Sequence, residues 1–160
     1  MRKIQLGSIS SGTLRTEDLL DAVIGESDYL FGSDYLDTHA DSNDWIVKPL
    51  LTAKAVTDYD SEDAGDALEE LIDALNQYAP AHTHLGTHED DGADWRTSGF
   101  TLRLGWWPTD FKDCHTVSID QGKNGESTFV DTDCNLYVEI NDHGNTTVKE
   151  LGGAIIWDCV

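Results

Sequence analysis

The sequence predicts an α+β fold: an antiparallel β-meander of five to seven strands in the C-terminal half, packed against one or two N-terminal helices. Three observations predict it. The two clearest helical patterns lie before Pro80. After Pro80 the chain turns to short β-textured runs separated by Gly, Asn and Asp. Helices early and strands late is the pattern of a sheet covered on one face. The 160 residues suit one domain spanning the whole chain, and 39% hydrophobic residues with five Trp, five Tyr and four Phe argue for a packed core despite a net charge of −21.

The segment Lys3–Ile9 alternates and predicts a first strand, closed by a turn at Ser11-Gly12. Thr16 stands as a helix N-cap with Glu17 and Asp18 in the first turn and Leu19, Leu20, Val23 and Ile24 behind them. Gly25 is expected to close that short helix. Residues 28–60 read as an irregular, acidic, insertion-like region around an apolar patch at Trp45-Ile46-Val47, where Pro49 argues against a long helix.

The strongest element runs from Ser61 to Tyr78. Ser61 is its N-cap, and Ala64, Leu68, Leu71, Leu75 and Tyr78 recur at three- and four-residue spacing on one apolar face. Pro80 stops it. Strands are then expected at His82–Thr87, Gly99–Trp107, Thr116–Ile119, Thr128–Val130, Leu136–Ile140, Thr146–Lys149 and Ala154–Trp157. Turn-rich segments such as Gln121–Gly125 and Asn141–Asn145 separate them.

The charge is unevenly placed. Residues 28–73 hold ten Asp and three Glu against Lys48 and Lys54, a net charge of 2 − 13 = −11. On the 61–78 helix the carboxylates Glu62, Asp66, Glu69, Glu70 and Asp73 fall opposite Leu68, with Asp63 at the margin. No Lys or Arg lies between Asp58 and His82, so no i,i+4 pairing offsets the repulsion. Selection for stability alone would intersperse basic residues. A compact chain of this length has a diameter of roughly 39 Å, so its net charge of −21 amounts to about one per 1.9 Å, against about one per 1.7 Å of duplex DNA. Carboxylates three and four residues apart on a helix lie about 5–6 Å from each other, close to the spacing of phosphates along one strand. Asp58, Asp60, Glu62, Asp63, Asp66, Glu69, Glu70 and Asp73 therefore form the candidate partner-binding face. Such a surface repels nucleic acid, whose phosphates need Lys and Arg, and no apolar run is long enough for a membrane span.

The candidate metal site is His82-Thr83-His84 with His88 or Asp90. On a strand His82 and His84 would share a face and could hold zinc, and an open fourth position would make a hydrolytic centre. The competing reading is a surface histidine cluster in an acidic protein, which leaves the chain without a cofactor. Asp58, Asp60, Glu62, Asp66 and Glu69 match the carboxylate positions of a calcium loop, but Asp63 stands where that loop needs glycine. Cys114, Cys134 and Cys159 form no close pair and read as reduced cytosolic thiols. Adjacent Trp106 and Trp107 should face opposite ways, one into the core. Packing of the second beneath residues 28–60 is preferred over a role as an interface anchor. No phosphate-binding loop, dinucleotide fingerprint or nucleophile elbow is present.

The motifs Gly12-Thr13-Leu14-Arg15-Thr16-Glu17-Asp18-Leu19-Leu20, Tyr78-Ala79-Pro80 with Gly86-Thr87-His88-Glu89-Asp90-Asp91-Gly92-Ala93-Asp94, and Asn141-Asp142-His143-Gly144-Asn145 with Thr146-Thr147 resemble those of a family of small acidic accessory proteins of phages and plasmids. The likeness departs at Leu85, where an aromatic residue is expected, and in Arg96–Leu104. It implies a mobile-element setting and no reaction. By analogy of class, such proteins resemble DNA mimics that inhibit restriction or CRISPR systems.

These readings converge on a non-enzymatic, cytoplasmic anti-restriction or anti-CRISPR protein. Its partner would be a host DNA-binding protein or nuclease with a basic channel, with a second copy of the chain (a homodimer) as a further candidate. Two alternatives stand beside it. One is a metal-dependent hydrolase using His82, His84 and His88. The other is a halophilic protein whose charge, with 22 Asp, nine Glu and only six Lys, is an adaptation to salt.

Overall fold

The computed structural model describes residues 1–13, 15–39, 44–89, 102–108, 116–121, 127–131, 136–141, 146–150 and 153–159. The fold is α+β with the helices in the N-terminal half. Two compact units are formed, one from Met1–Ala79 with Thr83–Trp107, the other from Pro80–His82 with Pro108–Val160.

Among its described residues the first unit contains four helices, α1 (Thr16–Phe31), α2 (Tyr35–His39), α3 (Val47–Lys54) and α4 (Glu62–Asn76), and the strands β1 (Gly7–Ser11), β2 (Thr83–Glu89) and β3 (Leu102–Pro108). These strands form one sheet with β3 in the middle, in the order β1-β3-β2. β1 pairs antiparallel with β3, Gly7 opposite Trp106 and Ser10 opposite Leu104, with an irregularity between Ser8 and Ser10. The backbones come so close there that a Cβ on Gly105 would lie 2.2 Å from the Gly7 carbonyl oxygen. Only glycine leaves room for that approach.

α1 extends past Gly25, where the sequence predicts its end. The helix buries Leu20, Val23, Ser27 and Leu30 along one stripe. Ser27, next in the stripe after Val23, returns its hydroxyl to the Val23 carbonyl at 2.9 Å and so enters the core without an unpaired polar group. The helix stops at Gly32, whose φ of 103° is open to glycine and whose N–H donates to the Asp28 carbonyl. Thr16 is the first helical residue, and Arg15 occupies the cap position. The side-chain link at this end comes from Thr13, which donates to Asp18 at 2.6 Å.

Residues 28–60, expected to be irregular, carry the end of α1 together with α2 and α3. Pro49 is accommodated because it sits in the first turn of α3, where a backbone N–H has no partner within the helix. α3 buries Val47, Leu50 and Ala53, and Ile46 just before it is fully enclosed. These residues join Leu20, Val23, Leu71, Leu75, Leu85, Leu104 and Trp106 in a single cluster. The segment is part of the core, and the insertion-like reading is corrected accordingly.

α4 follows its prediction closely, with Ser61 as N-cap accepting from the Ala64 N–H at 3.3 Å. Its buried stripe is Ala64, Ala67, Leu71, Ala74 and Leu75, and Leu68 is only partly buried. Three alanines on that stripe let the α4 backbone approach α1 and α3 closely, so the helix turns these small side chains inward in preference to Leu68.

The second unit is a sheet of five strands, β4 (Thr116–Gln121), β5 (Ser127–Asp131), β6 (Leu136–Ile140), β7 (Thr146–Glu150) and β8 (Ile155–Cys159), in sequence order. Every neighbouring pair is antiparallel. Val148 lies opposite both Val138 and Trp157, and these three are buried with Leu136 on one face. The Trp157 indole N–H donates to the Ala81 carbonyl at 2.9 Å. The strands are thus divided between two sheets, a correction to the single meander packed on helices. β1 supplies the reason: by pairing with β3 it draws β2 and β3 into the helical unit.

Candidate partner-binding surface

The acidic face is built from the loop before α4 and from the solvent side of α4 itself. Ser61 donates its hydroxyl to the Asp58 carbonyl at 2.6 Å, and the Asp60 N–H points to the Asp58 carboxylate at 3.3 Å, which sets the turn entering the helix. Asp58, Asp60, Glu62, Asp63, Asp66, Glu69, Glu70 and Asp73 are all exposed. None of the eight has a cationic partner among the described residues, where the ion pairs are Arg15–Glu17, Lys54–Asp28 and Lys149–Glu139. Glu62 and Asp63 sit favourably at the positive end of the helix dipole, whereas the last turn, which follows Asp73, has no basic residue. Six like-charged pairs stand at helical spacing: Asp63–Asp66, Asp66–Glu69, Glu70–Asp73, Glu62–Asp66, Asp66–Glu70 and Glu69–Asp73. At a few tenths of a kcal/mol each, they cost α4 about 2 kcal/mol.

Beside this face lies a groove of about 920 Å³, lined by Trp45, Val47, Lys48, Pro49 and Leu51 on one side and by Glu70, Asp73 and Ala74 of α4 with Gln77 at its C-cap on the other, with Asp44. Trp45 is 77% exposed and Leu51 44% exposed, although their neighbours Ile46 and Leu50 are enclosed in the core. The groove joins two carboxylates of the acidic face to the largest apolar side chain left in solvent among the described residues of the helical unit.

Asp44, directly before Trp45, is held by two phenols. It accepts from the Tyr35 hydroxyl at 2.5 Å and also from the Tyr78 hydroxyl. Phe31 packs against both rings at centroid distances of 5.1 and 5.0 Å, and His39 stacks on Tyr35 at 4.2 Å. The bond from Tyr35, followed by that from Tyr78, stabilises the carboxylate and lowers the Asp44 pKa below its ordinary value. Burial, and then the bond and charge of Asp44, push Tyr35 up to about 12, and Tyr78 rises for the same reasons. This arrangement fastens the segment before α3 to α2 through Tyr35 and to the turn after α4 through Tyr78, with Phe31 of α1 packed on both rings, and fixes the point from which Trp45 projects. Nothing in the sequence pattern pairs Asp44 with tyrosines 9 and 34 residues away.

The tryptophan expectation is met at one position and shifts at another. Trp106 is fully buried and donates its indole N–H to Glu26 at 2.9 Å, while Trp107 donates to the Gly86 carbonyl at 3.0 Å. The outward tryptophan amid acids is Trp45, whose only sequence signal is an indole flanked by Asp44 on one side and buried Ile46 on the other. Burial raises the Glu26 pKa, and the bond from Trp106 opposes that rise.

The histidines do not follow one strand. His82 lies in the turn ahead of β2 with φ 60°, so the alternation that would place it on one strand face with His84 does not apply. His84 is on β2, its ring over Gly86, with an enclosed Nδ1 that has no hydrogen-bond partner among the described residues. The His88 backbone belongs to β2. Asp90, Trp95, Cys114 and Cys134 lie outside the described residues. Among the described residues no group of three or more His, Cys, Asp or Glu side chains is placed to hold a metal ion. The calcium-loop spacing is taken up by the α4 helix from Glu62 onward. No helix among the described residues is long and apolar enough to cross a membrane.

No family model, no curated protein and no solved structure matches this chain.

Proposed function

We propose that this protein is a binding protein of mobile-element origin that occupies the basic, DNA-binding channel of a host defence protein of restriction or CRISPR type. The acidic face of α4 and its entry loop make the contact, and no chemical step is involved. The observation that carries this reading is the set of eight exposed carboxylates without cationic partners among the described residues, all of them between positions 58 and 73. A helix that keeps about 2 kcal/mol of internal repulsion holds its charge for something other than its own stability. The resemblance to small acidic phage and plasmid proteins supports the setting.

The test is competition for duplex DNA. A restriction or CRISPR effector from the host should release labelled duplex when the protein is added, and the apparent affinity should fall at least about tenfold between 50 and 200 mM salt. A variant with Glu62, Glu69 and Glu70 changed to Gln and Asp58, Asp60, Asp63, Asp66 and Asp73 changed to Asn should keep its circular dichroism spectrum and lose the inhibition. Inhibition that survives these substitutions overturns the proposal. A melt in low and in molar salt separates binding from salt adaptation, because a halophilic fold would need the salt to remain folded.

A further inference from the structure

The acidic face explains attraction to any basic surface, but the groove beside it adds a chemical preference. Glu70 and Asp73 belong to both features. Across from them stands Trp45, 77% exposed and rooted by its neighbours Asp44 and Ile46, both of which are tied into the fold. An exposed indole beside carboxylates that have no cationic partner among the described residues matches one side chain above the others. Arginine offers a flat guanidinium that stacks on an indole face and N–H groups arranged as a fork for carboxylate oxygens. Lysine offers a compact, strongly hydrated point charge that gains less from the ring. Lys48 on the same wall is a single cation against Glu70 and Asp73, so the groove keeps a negative balance that favours a cationic occupant. Trp and Arg are also the residues most enriched where interface energy concentrates.

We propose that the α3–α4 groove is an arginine-reading site: Trp45 takes the guanidinium of a partner polypeptide on its ring, and the carboxylates of Glu70 and Asp73 accept its N–H groups. This deepens the binding function proposed above and rests on it. The long-range charge brings a basic partner in, and the groove selects arginine-bearing segments over lysine-bearing ones.

The experiment titrates the full chain with an arginine nonamer and a lysine nonamer of equal charge, at 50, 150 and 500 mM salt. Wild type should bind the arginine peptide about tenfold more tightly than the lysine peptide, and the preference should persist as salt rises, because stacking is screened less than charge. Trp45→Ala should reduce the arginine-to-lysine ratio to about one while leaving the salt dependence unchanged. Since Trp45 is exposed, its thermal melt should match that of wild type. Glu70→Gln with Asp73→Asn should weaken both peptides and flatten the salt dependence. A ratio unchanged in Trp45→Ala overturns the arginine site and leaves the acidic-face reading standing. Wild-type protein that binds neither peptide at 50 mM salt overturns both.

Discussion

Asn76 at the end of α4 and Leu85 on β2 exchange two hydrogen bonds: the Leu85 N–H donates to the Asn76 side-chain oxygen at 2.7 Å, and the Asn76 amide donates to the Leu85 carbonyl at 3.0 Å. The amide imitates a neighbouring strand and fixes the height of α4 against the sheet while Leu85 fills the core. Replacing Asn76 with Ala leaves a partly buried donor and acceptor without partners. The expected loss is about 2–3 kcal/mol, read as a lower urea midpoint with an unchanged slope. Aspartate at this position keeps the acceptor but turns a carboxylate toward a carbonyl, and should be no better than alanine.

The Asp44 carboxylate makes stability depend on acid. Its folded pKa lies below the unfolded value of 3.8. The stabilisation is therefore fully present above that value and is lost as pH falls through the folded one. Asp44→Asn should cost about 1–2 kcal/mol at pH 7 and should flatten the decline of stability on the acid side of pH 4. At the alkaline end Tyr35 is raised from 10.0 to about 12, so its contribution is complete below 10 and fades as pH rises toward 12. Tyr35→Phe should remove part of that alkaline loss. Chemical denaturation at pH 3, 5, 7 and 11 checks both limbs.

Glu26 carries the opposite sign. Its folded pKa is raised above 4.5 by burial, so the group favours the fold below that value, and this is lost as pH rises through the folded pKa. Glu26→Gln keeps an oxygen to accept the Trp106 indole N–H and removes the buried charge. The variant should melt higher than wild type at pH 7, and the difference should vanish near pH 4. A variant less stable at pH 7 would show that the charge-assisted bond to Trp106 outweighs desolvation.

Gly105 is sterically committed. Its Cβ position lies 2.2 Å from the Gly7 oxygen and 2.7 Å from Ser8 Cα, both backbone atoms that no side-chain rotation can clear. Gly105→Ala should cost about 3 kcal/mol by forcing β1 away from β3. Loss of near-ultraviolet circular dichroism from Trp106, whose backbone pairs with Gly7, would report it.

The sequence alone determined what depends on local pattern. A capped helix from Ser61, its acidic outer side, the α+β class and most strand positions follow from periodicity, turn residues and Pro80, because each needs only neighbours along the chain. The tertiary structure decided what depends on distant partners. Gly25 does not end α1, because the buried stripe through Ser27 and Leu30 outweighs the weak local preference of one glycine. Between residues 28 and 60 the chain carries α2 and α3 because Ile46, Val47 and Leu50 find a core, and because the tyrosines at 35 and 78 converge on Asp44. The acidic face of α4 could be read from the chain itself. The groove that pairs it with Trp45 could not, since Trp45 stands 25 and 28 positions before Glu70 and Asp73 and joins them only through the packing of α3 on α4.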